Sequence, residues 1–380
     1  MSKATGRAAV LLSGGLDSLL SAKVLQEQGL DVTCLHFITP FFGKPHKLEH
    51  WRSTYGLNIR PVDVGEEFIA LLKTPPPHGF GSVLNPCVDC KILMLRRAKS
   101  IMEELGACCV ATGEVLGQRP MSQRRDALNI IRRDADLKDF LLRPLTALHL
   151  EPTRAEREGI VDRSRLYGFY GRSRKMQMDL AARFGITEIP TPAGGCRLTE
   201  HGNARSYYPI LLHSPAPQAA DFYLGNAGRQ LWHIPDGNGP DGKGPVFRLI
   251  VGRNATDNAR LAALAGPRDL FFQSRDYPGP TALGRFFGEA WSPEAVASAA
   301  FVAAAYTGKA KIPARDSKTV MLVSKGSPDL PGTELEVDLR LPPPLKFAEY
   351  PWEKARAEIK TAAARQEALR KGPDKTAAAS

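Results

Sequence analysis

Two groups of residues in this chain have types and spacings that suit chemistry. The first is Ser13-Gly14-Gly15-Leu16-Asp17-Ser18. It follows an apolar run of strand length, Ala8–Leu12. A helical pattern comes next, with Leu16, Leu19, Leu20, Val24 and Leu25 at i, i+3, i+4 spacing. A strand that turns into a helix through two glycines gathers free backbone N–H groups and the positive helix end at one point, which suits a phosphate. No Gly-Lys-Ser/Thr follows, so this is not a Walker loop. The plain alternative, an ordinary strand–turn–helix corner, leaves Asp17 at its mouth unexplained.

The second group is made of cysteines. Asn85-Pro86-Cys87-Val88-Asp89-Cys90 places a Cys-x-x-Cys at the opening of a helix, where the helix end favours thiolates. Cys196 lies far along the chain in Thr191-Pro192-Ala193-Gly194-Gly195-Cys196-Arg197-Leu198, an irregular loop. Cys34, Cys108 and Cys109 fall in strand-like segments and read as buried structural thiols. Three thiolates, two close together and one distant, match a 4Fe–4S cluster whose fourth iron lacks a cysteine ligand; Cys87, Cys90 and Cys196 are its candidate ligands. Zinc would want a fourth ligand, and no His stands beside these motifs. A disulfide or persulfide pair between Cys196 and one of the first two cysteines is the competing arrangement.

The elements that must position these residues alternate. After the first helix, Asp31–Phe37 reads as a strand, His46–Tyr55 as a helix, Leu57–Val62 as a strand and Glu66–Leu72 as a short helix. Pro75-Pro76-Pro77 closes that helix; Val88–Leu105 then reads as a helix and Ala107–Ala111 as a strand. Such alternation predicts an α/β domain, a doubly wound parallel sheet with ligands at the carboxyl ends of its strands. Both chemical groups must then meet at that end.

At 380 residues the chain is long enough for two or three domains. It carries a formal charge of +11, which points to a polyanionic partner. The excess is concentrated between Arg119 and Arg183, where 15 Lys/Arg stand against 9 Asp/Glu. Its dense points are Arg124-Arg125, Arg132-Arg133 and Arg172-Ser173-Arg174-Lys175. Contact with a nucleic-acid backbone is one reading of this window and a solvated helix face the other. The start of the chain shows no apolar region of signal-peptide length, and the run Ala295–Tyr306 is too short to span a bilayer, so a cytoplasmic location without membrane contact is expected.

Ser-Gly-Gly-Leu-Asp-Ser resembles the PP-loop of the ATP pyrophosphatases, whose fold is that of the adenine nucleotide alpha hydrolases. Ala111-Thr112-Gly113-Glu114-Val115-Leu116-Gly117-Gln118 with Ser122-Gln123, and Leu142-Arg143-Pro144-Leu145, resemble the signatures of ThiI-type tRNA 4-thiouridine synthetases. Pro-Cys-x-x-Cys with a later Gly-Gly-Cys resembles the iron–sulfur branch of the PP-loop tRNA thiolases. The match covers about residues 8 to 200. It implies an ATP-dependent tRNA sulfurtransferase, in which a uridine carbonyl oxygen is adenylated and replaced by sulfur, most simply to give 4-thiouridine. ATP and Mg²⁺ would be held by Ser13, Gly14, Gly15, Asp17, Ser18, His36, Gly113 and Gln118. Asp17, Cys87, Cys90 and Cys196 would carry the catalysis, with sulfide or a cysteine desulfurase as sulfur donor. The THUMP-containing region and rhodanese domain of ThiI enzymes have no counterpart in the sequence as read, so RNA is expected to be gripped elsewhere. Amidation, lysidine-type ligation or 2-thiolation of tRNA are alternatives, as is an RNA-binding protein that uses the loop only to sense a nucleotide.

After Cys196 the pattern changes. His201–Gln218 is polar and Pro-marked, and Asp236–Gly244 is a turn-rich loop, so a boundary is expected near 205. Residues 206–345 then read as a smaller α+β domain. Val246–Gly252, Leu270–Gln273 and Thr319–Val323 are its expected strands; Ala259–Ala265 and Pro293–Tyr306 are its expected helices. Val251-Gly252-Arg253-Asn254 with Asn258 and Leu261, Asp269-Leu270-Phe271-Phe272, Pro278-Gly279-Pro280 and the Lys325-Gly326 region resemble the NFACT RNA-binding domain. That resemblance implies an RNA-holding module. Residues 346–380 form a basic, Ala-rich tail, expected to be helical as far as Arg370 and disordered beyond.

Overall fold

The computed structural model describes residues 6–74, 76–81, 83–119, 122–190, 195–235, 245–307, 318–353, 355–359 and 361. The expected stretches 191–194, 236–244 and 362–380 lie outside the described residues. The chain divides into two units after Glu200.

The first unit runs β1 (Arg7–Leu11), α1 (Leu16–Glu27), β2 (Asp31–Ile38), α2 (Leu48–Tyr55), β3 (Asn58–Asp63), α3 (Gly65–Lys73), α4 (Cys87–Leu105) and β4 (Cys109–Ala111). It continues through α5 (Arg125–Asp134), β5 (Leu141–Leu142), α6 (Arg154–Arg157) and α7 (Lys175–Arg183). The five strands form one parallel sheet in the order β3-β2-β1-β4-β5. Alternation along β1 shows why both faces are covered. Ala8 and Val10 join a core with Leu19 and Leu20 of α1, Trp51 and Tyr55 of α2 and Leu180 of α7. Ala9 and Leu11 face the other way, into a core with Ile92, Leu95 and Met102 of α4 and Ile131 of α5. A strand buried on both sides needs a continuous apolar run, which is what Ala8–Leu12 is. The expected doubly wound sheet is the observed one, and the loops after β1 and β4 are neighbours at its carboxyl end.

The second unit contains α8 (His201–His213), α9 (Ala219–Gly225), β6 (Arg229–His233), β7 (Phe247–Val251), α10 (Ala255–Leu264), β8 (Leu270–Ser274), β9 (Ala282–Arg285), α11 (Pro293–Tyr306), β10 (Lys318–Lys325) and β11 (Thr333–Asp338). Its antiparallel sheet has the order β11-β10-β8-β9-β7-β6. The alanines of α11 pack on one face, against Leu249, Val251 and Phe272. Leu261 of α10 and Leu224 of α9 pack on the other, against Ile250, Phe271 and Leu283. The polar, Pro-marked stretch that opens this unit is helical over His201–His213, with Pro209 inside and Ala204, Tyr207 and Ile210 buried. The Gly252-Arg253-Asn254 motif turns β7 into α10. Asn254 caps the helix on the Asp257 amide, Arg253 pairs with Asp257 at 2.7 Å, and a Cβ on Gly252 would sit 2.0 Å from Asn258 Oδ1.

Candidate active site

The loop after β1 is held by its own serines. The Ser13 and Ser18 hydroxyls lie 3.2 Å apart, Ser18 Oγ accepts from the Ser13 amide, and it donates to the Gly15 carbonyl at 2.8 Å. Gly14 has φ +77° and its Cα abuts the Trp51 indole, leaving no room for a side chain. Gly15 precedes α1 in an extended conformation without a side-chain cap, so the first amides of the helix keep their donors. Gly113, just past β4, packs against the start of α1: a Cβ there would lie 2.5 Å from the Asp17 carbonyl carbon and the Ser18 amide nitrogen.

Asp17 sits in the first turn of α1. Gln118 Nε2 donates to its Oδ2 at 3.0 Å, while its Oδ1 is buried without a hydrogen-bond partner. Burial raises its pKa, and the Gln118 bond and the charges of Arg174 and Arg119 counter this. Gln118 Oε1 and Arg174 Nε are likewise buried without partners. A carboxylate oxygen, an amide oxygen and a guanidinium N–H left unmatched around an anion-binding loop fit a polyphosphate with its cation. Of these, Asp17 is the residue that would hold Mg²⁺. Arg174 was visible in the sequence only as part of a basic run; nothing in its spacing tied it to Asp17.

His36 plays a different part from the one expected. It is buried at the end of β2, its Nδ1 donates to the Leu12 carbonyl at 2.8 Å, and its Nε2 accepts from the Lys44 amide at 2.8 Å. Burial lowers its pKa, with the Leu12 bond opposing, so it is the neutral ring that joins the end of β1 to the loop after β2. Neither nitrogen is left for a nucleotide.

Glu114 anchors the β4 loop. Arg143 Nε donates to its Oε2 at 3.0 Å, Thr112 Oγ1 donates to the same oxygen at 3.1 Å, and Lys91 Nζ lies 3.3 Å from Oε1. Burial alone would raise its pKa, but the Lys91 and Arg143 charges and their hydrogen bonds bring it down to about 2. Because Lys91 is in the first turns of α4, this ion pair ties the Cys-x-x-Cys to the carboxyl end of β4.

Cys196 reaches the same place through backbone bonds. The Arg197 amide donates to the Phe41 carbonyl beyond β2 at 3.0 Å, and the Leu84 amide donates to the Leu198 carbonyl at 3.2 Å. The three thiols are close enough to feel one another: Cys196 and Cys87 push up the pKa of Cys90, and Cys87 that of Cys196, each on top of the larger effect of burial. Cys196 is raised to about 11, and Cys90 further still. Asn85 Nδ2 donates to Cys87 Sγ at 3.1 Å. All six cysteines are free thiols. Among the described residues no three His, Cys, Asp or Glu side chains stand together at metal-ligand spacing. Cys34 and Cys109 are buried in the core, as expected, and Cys108 is partly buried against it.

Residues 81–182 match the family model described as "Thiamine biosynthesis protein (ThiI)", a span that holds Cys87, Cys90, Glu114, Gln118 and Arg143. Within the first unit, this span is similar to ThiI. A protein named "Probable tRNA sulfurtransferase" from Lysinibacillus sphaericus is 30% identical over 147 residues, 37% of this chain and 34% of its own length. A "tRNA sulfurtransferase" from Desulfurococcus amylolyticus is 29% identical over 180 residues, 45% of this chain and 34% of its own. The "Probable tRNA sulfurtransferase" of Thermococcus kodakarensis is 26% identical over 174 residues, 43% and 42% of the two chains. The chain thus spans about a third to two fifths of the length of these relatives. A solved structure titled as a predicted subunit of tRNA methyltransferase from Methanocaldococcus jannaschii gives a TM-score of 0.30 at 15% identity, covering 46% of this chain and 75% of that one. That likeness is too slight to bear on fold or function. Among the described residues no helix is long and apolar enough to cross a membrane.

Proposed function

We propose that this protein is a cytoplasmic, ATP-dependent tRNA sulfurtransferase that makes a thiouridine, of the 4-thio type. The reading rests on one observation above all: Cys196, 106 residues beyond Cys90, is pinned beside Cys87 and Cys90 at the end of the sheet that carries the Ser13–Ser18 loop. Nucleotide chemistry and sulfur chemistry then share one site.

A uracil carbonyl oxygen leaves poorly as hydroxide and well as AMP. In this reading the loop amides and the Ser13 and Ser18 hydroxyls grip the leaving pyrophosphate, Arg174 adds charge, and Asp17 would hold the Mg²⁺ that neutralises the phosphates. A persulfide on one of the three cysteines attacks the activated carbon with its outer sulfur, and AMP leaves. A neighbouring thiolate then attacks the remaining S–S bond, releases the thiouridine and leaves a Cys–Cys disulfide for a thiol reductant to reopen. An NFACT-like role for the second unit, holding the RNA, completes the proposal.

Mass spectrometry of tRNA nucleosides from a deletion strain tests it directly. Loss of a thiouridine, restored by wild type and by Cys34→Ala, Cys108→Ala or Cys109→Ala but not by Cys87→Ala, Cys90→Ala or Cys196→Ala, is the expected result. An unchanged thiouridine profile would refute it. Anaerobically purified protein separates the two sulfur routes. Colourless, iron-free protein that thiolates tRNA supports the persulfide, whereas brown protein with about four irons per chain supports the 4Fe–4S cluster on Cys87, Cys90 and Cys196.

A further inference from the structure

The basic window 119–183 sorts itself once the ion pairs are traced. Arg124, Arg133, Arg143, Arg154, Arg157, Arg163, Arg165 and Arg183 each pair with a carboxylate. Arg119, Arg125, Arg132, Lys138, Arg172, Arg174 and Lys175 have no ion pair among the described residues, and four of these lead to one place. Arg119 and Arg174 bear on Asp17, Arg125 bonds the His149 carbonyl, and Arg172 follows Tyr170 by two residues.

Tyr170 meets that group through His149, whose ring it contacts and whose carbonyl Arg125 bonds. It is 61% exposed, the most exposed large apolar side chain of the first unit, yet its backbone is fixed. It pairs with Leu116 in a parallel bridge, the Gly171 amide donates to the Leu116 carbonyl at 2.9 Å, and Phe169 bonds Leu145 at 2.7 Å. The ring leans on Gly117, where a Cβ would stand 3.4 Å from its Cε2 and Cζ, and His149 meets it edge-on with centroids 5.8 Å apart. Gly117 precedes Gln118, the residue that holds Asp17. An aromatic side chain held in place, open to solvent, sharing His149 with Arg125 and linked through Gly117 and Gln118 to the loop's acid has no role in the core.

We propose that Tyr170 is a stacking platform for a base of the RNA substrate at the mouth of the site, with Arg125 and Arg172 on the flanking phosphates. The inference rests on the tRNA reading above and adds how the RNA is presented. A uridine carbonyl inside a stacked helix is out of reach of an adenylating site, so the nucleotide must be unstacked, and an aromatic face replaces the stacking that is lost. Arginines without carboxylate partners are the ones free to take phosphates.

The test uses the full chain and two probes, bulk tRNA and octauridylate, in equilibrium binding over a range of salt, with melting temperature as a folding control. Tyr170→Phe and Tyr170→Trp should bind within about twofold of wild type. Tyr170→Leu and Tyr170→Ala should bind about 5- to 150-fold more weakly, the range of one lost aromatic–base stack, with the salt slope unchanged. Arg172→Gln and Arg125→Gln should instead each lower the slope by about one. If Tyr170→Leu binds as Tyr170→Phe does while wild type holds tRNA tightly, the platform is wrong and the tRNA reading stands. If wild type binds tRNA no better than it binds heparin, the tRNA reading fails and the platform with it.

Discussion

Replacing Arg143 by Met should damage the first unit more than any surface change, and the structure says by how much. Arg143 and Glu114 are 2% and 3% exposed, with Nε and Oε2 at 3.0 Å. Folding takes the Glu114 pKa from an ordinary 4.5 to about 2. A fall of that size corresponds to about 3 kcal/mol of stability, fully present above pH 4.5 and lost as the pH falls toward 2. In Arg143→Met only Lys91 and Thr112 remain to hold the buried carboxylate, so a loss of about 3–5 kcal/mol is expected at pH 7. The carboxyl pKa should also climb back, so that acid destabilisation sets in at higher pH than in wild type. Glu114→Gln with Arg143→Met should cost less than the two single changes together, because the double variant leaves no bare buried charge. Hydrogen exchange of the β1 and β4 amides reads this unit's stability by itself. A single-variant loss below about 1 kcal/mol, or additive losses in the double variant, would refute the claim that the pair is held by charge.

Three further outcomes follow from the geometry. Gly14→Val, which forces a side chain into Trp51 at a left-handed φ, should abolish pyrophosphate release, and Asp17→Asn should do the same with the fold intact; full release in either would sink the loop's role. His36→Phe should lower stability by about 1–3 kcal/mol by stranding the Leu12 carbonyl and Lys44 amide. Because burial depresses the folded pKa of His36, wild type should lose part of its stability as pH drops below 6.5, a loss missing from the variant's denaturation profile. Ending the chain after Glu200 should weaken tRNA binding and leave a residue of affinity that falls steeply with salt; equal affinity by filter binding would remove the second unit from RNA holding.

The first unit was largely legible because its sheet is buried on both faces. Apolar runs such as Ala8–Leu12 and Asp31–Phe37 read as strands, and β1 and β2 fall on them. α5 and α7 were missed: both are charged helices with narrow buried stripes, Ala127-Leu128-Ile131 in one and Gln177-Leu180-Ala181 in the other. In the second unit β6, β9 and β11 escaped because each is short or half-exposed, and α8 because Pro209 masks a sound i, i+3 pattern from Ala204 through Tyr207 to Ile210. At the site, glycines and cysteines announced themselves by type. The partners of Asp17, the backbone role of His36 and the open ring of Tyr170 did not, since each depends on loops that meet only in three dimensions.

The backbone bonds that pin Cys196 also set an order of events. Cys87 and Cys90 leave the ribosome early, and 106 residues must follow before Cys196 exists. At about 5–20 residues per second, that is about 5–20 s of synthesis. Throughout that interval the Phe41 carbonyl and Leu84 amide wait for Arg197 and Leu198, and the nascent chain presents a pair of thiols rather than a trio. Any chemistry that needs all three thiols therefore has to wait for one of the last segments of this unit to be made, after the segments that form its sheet.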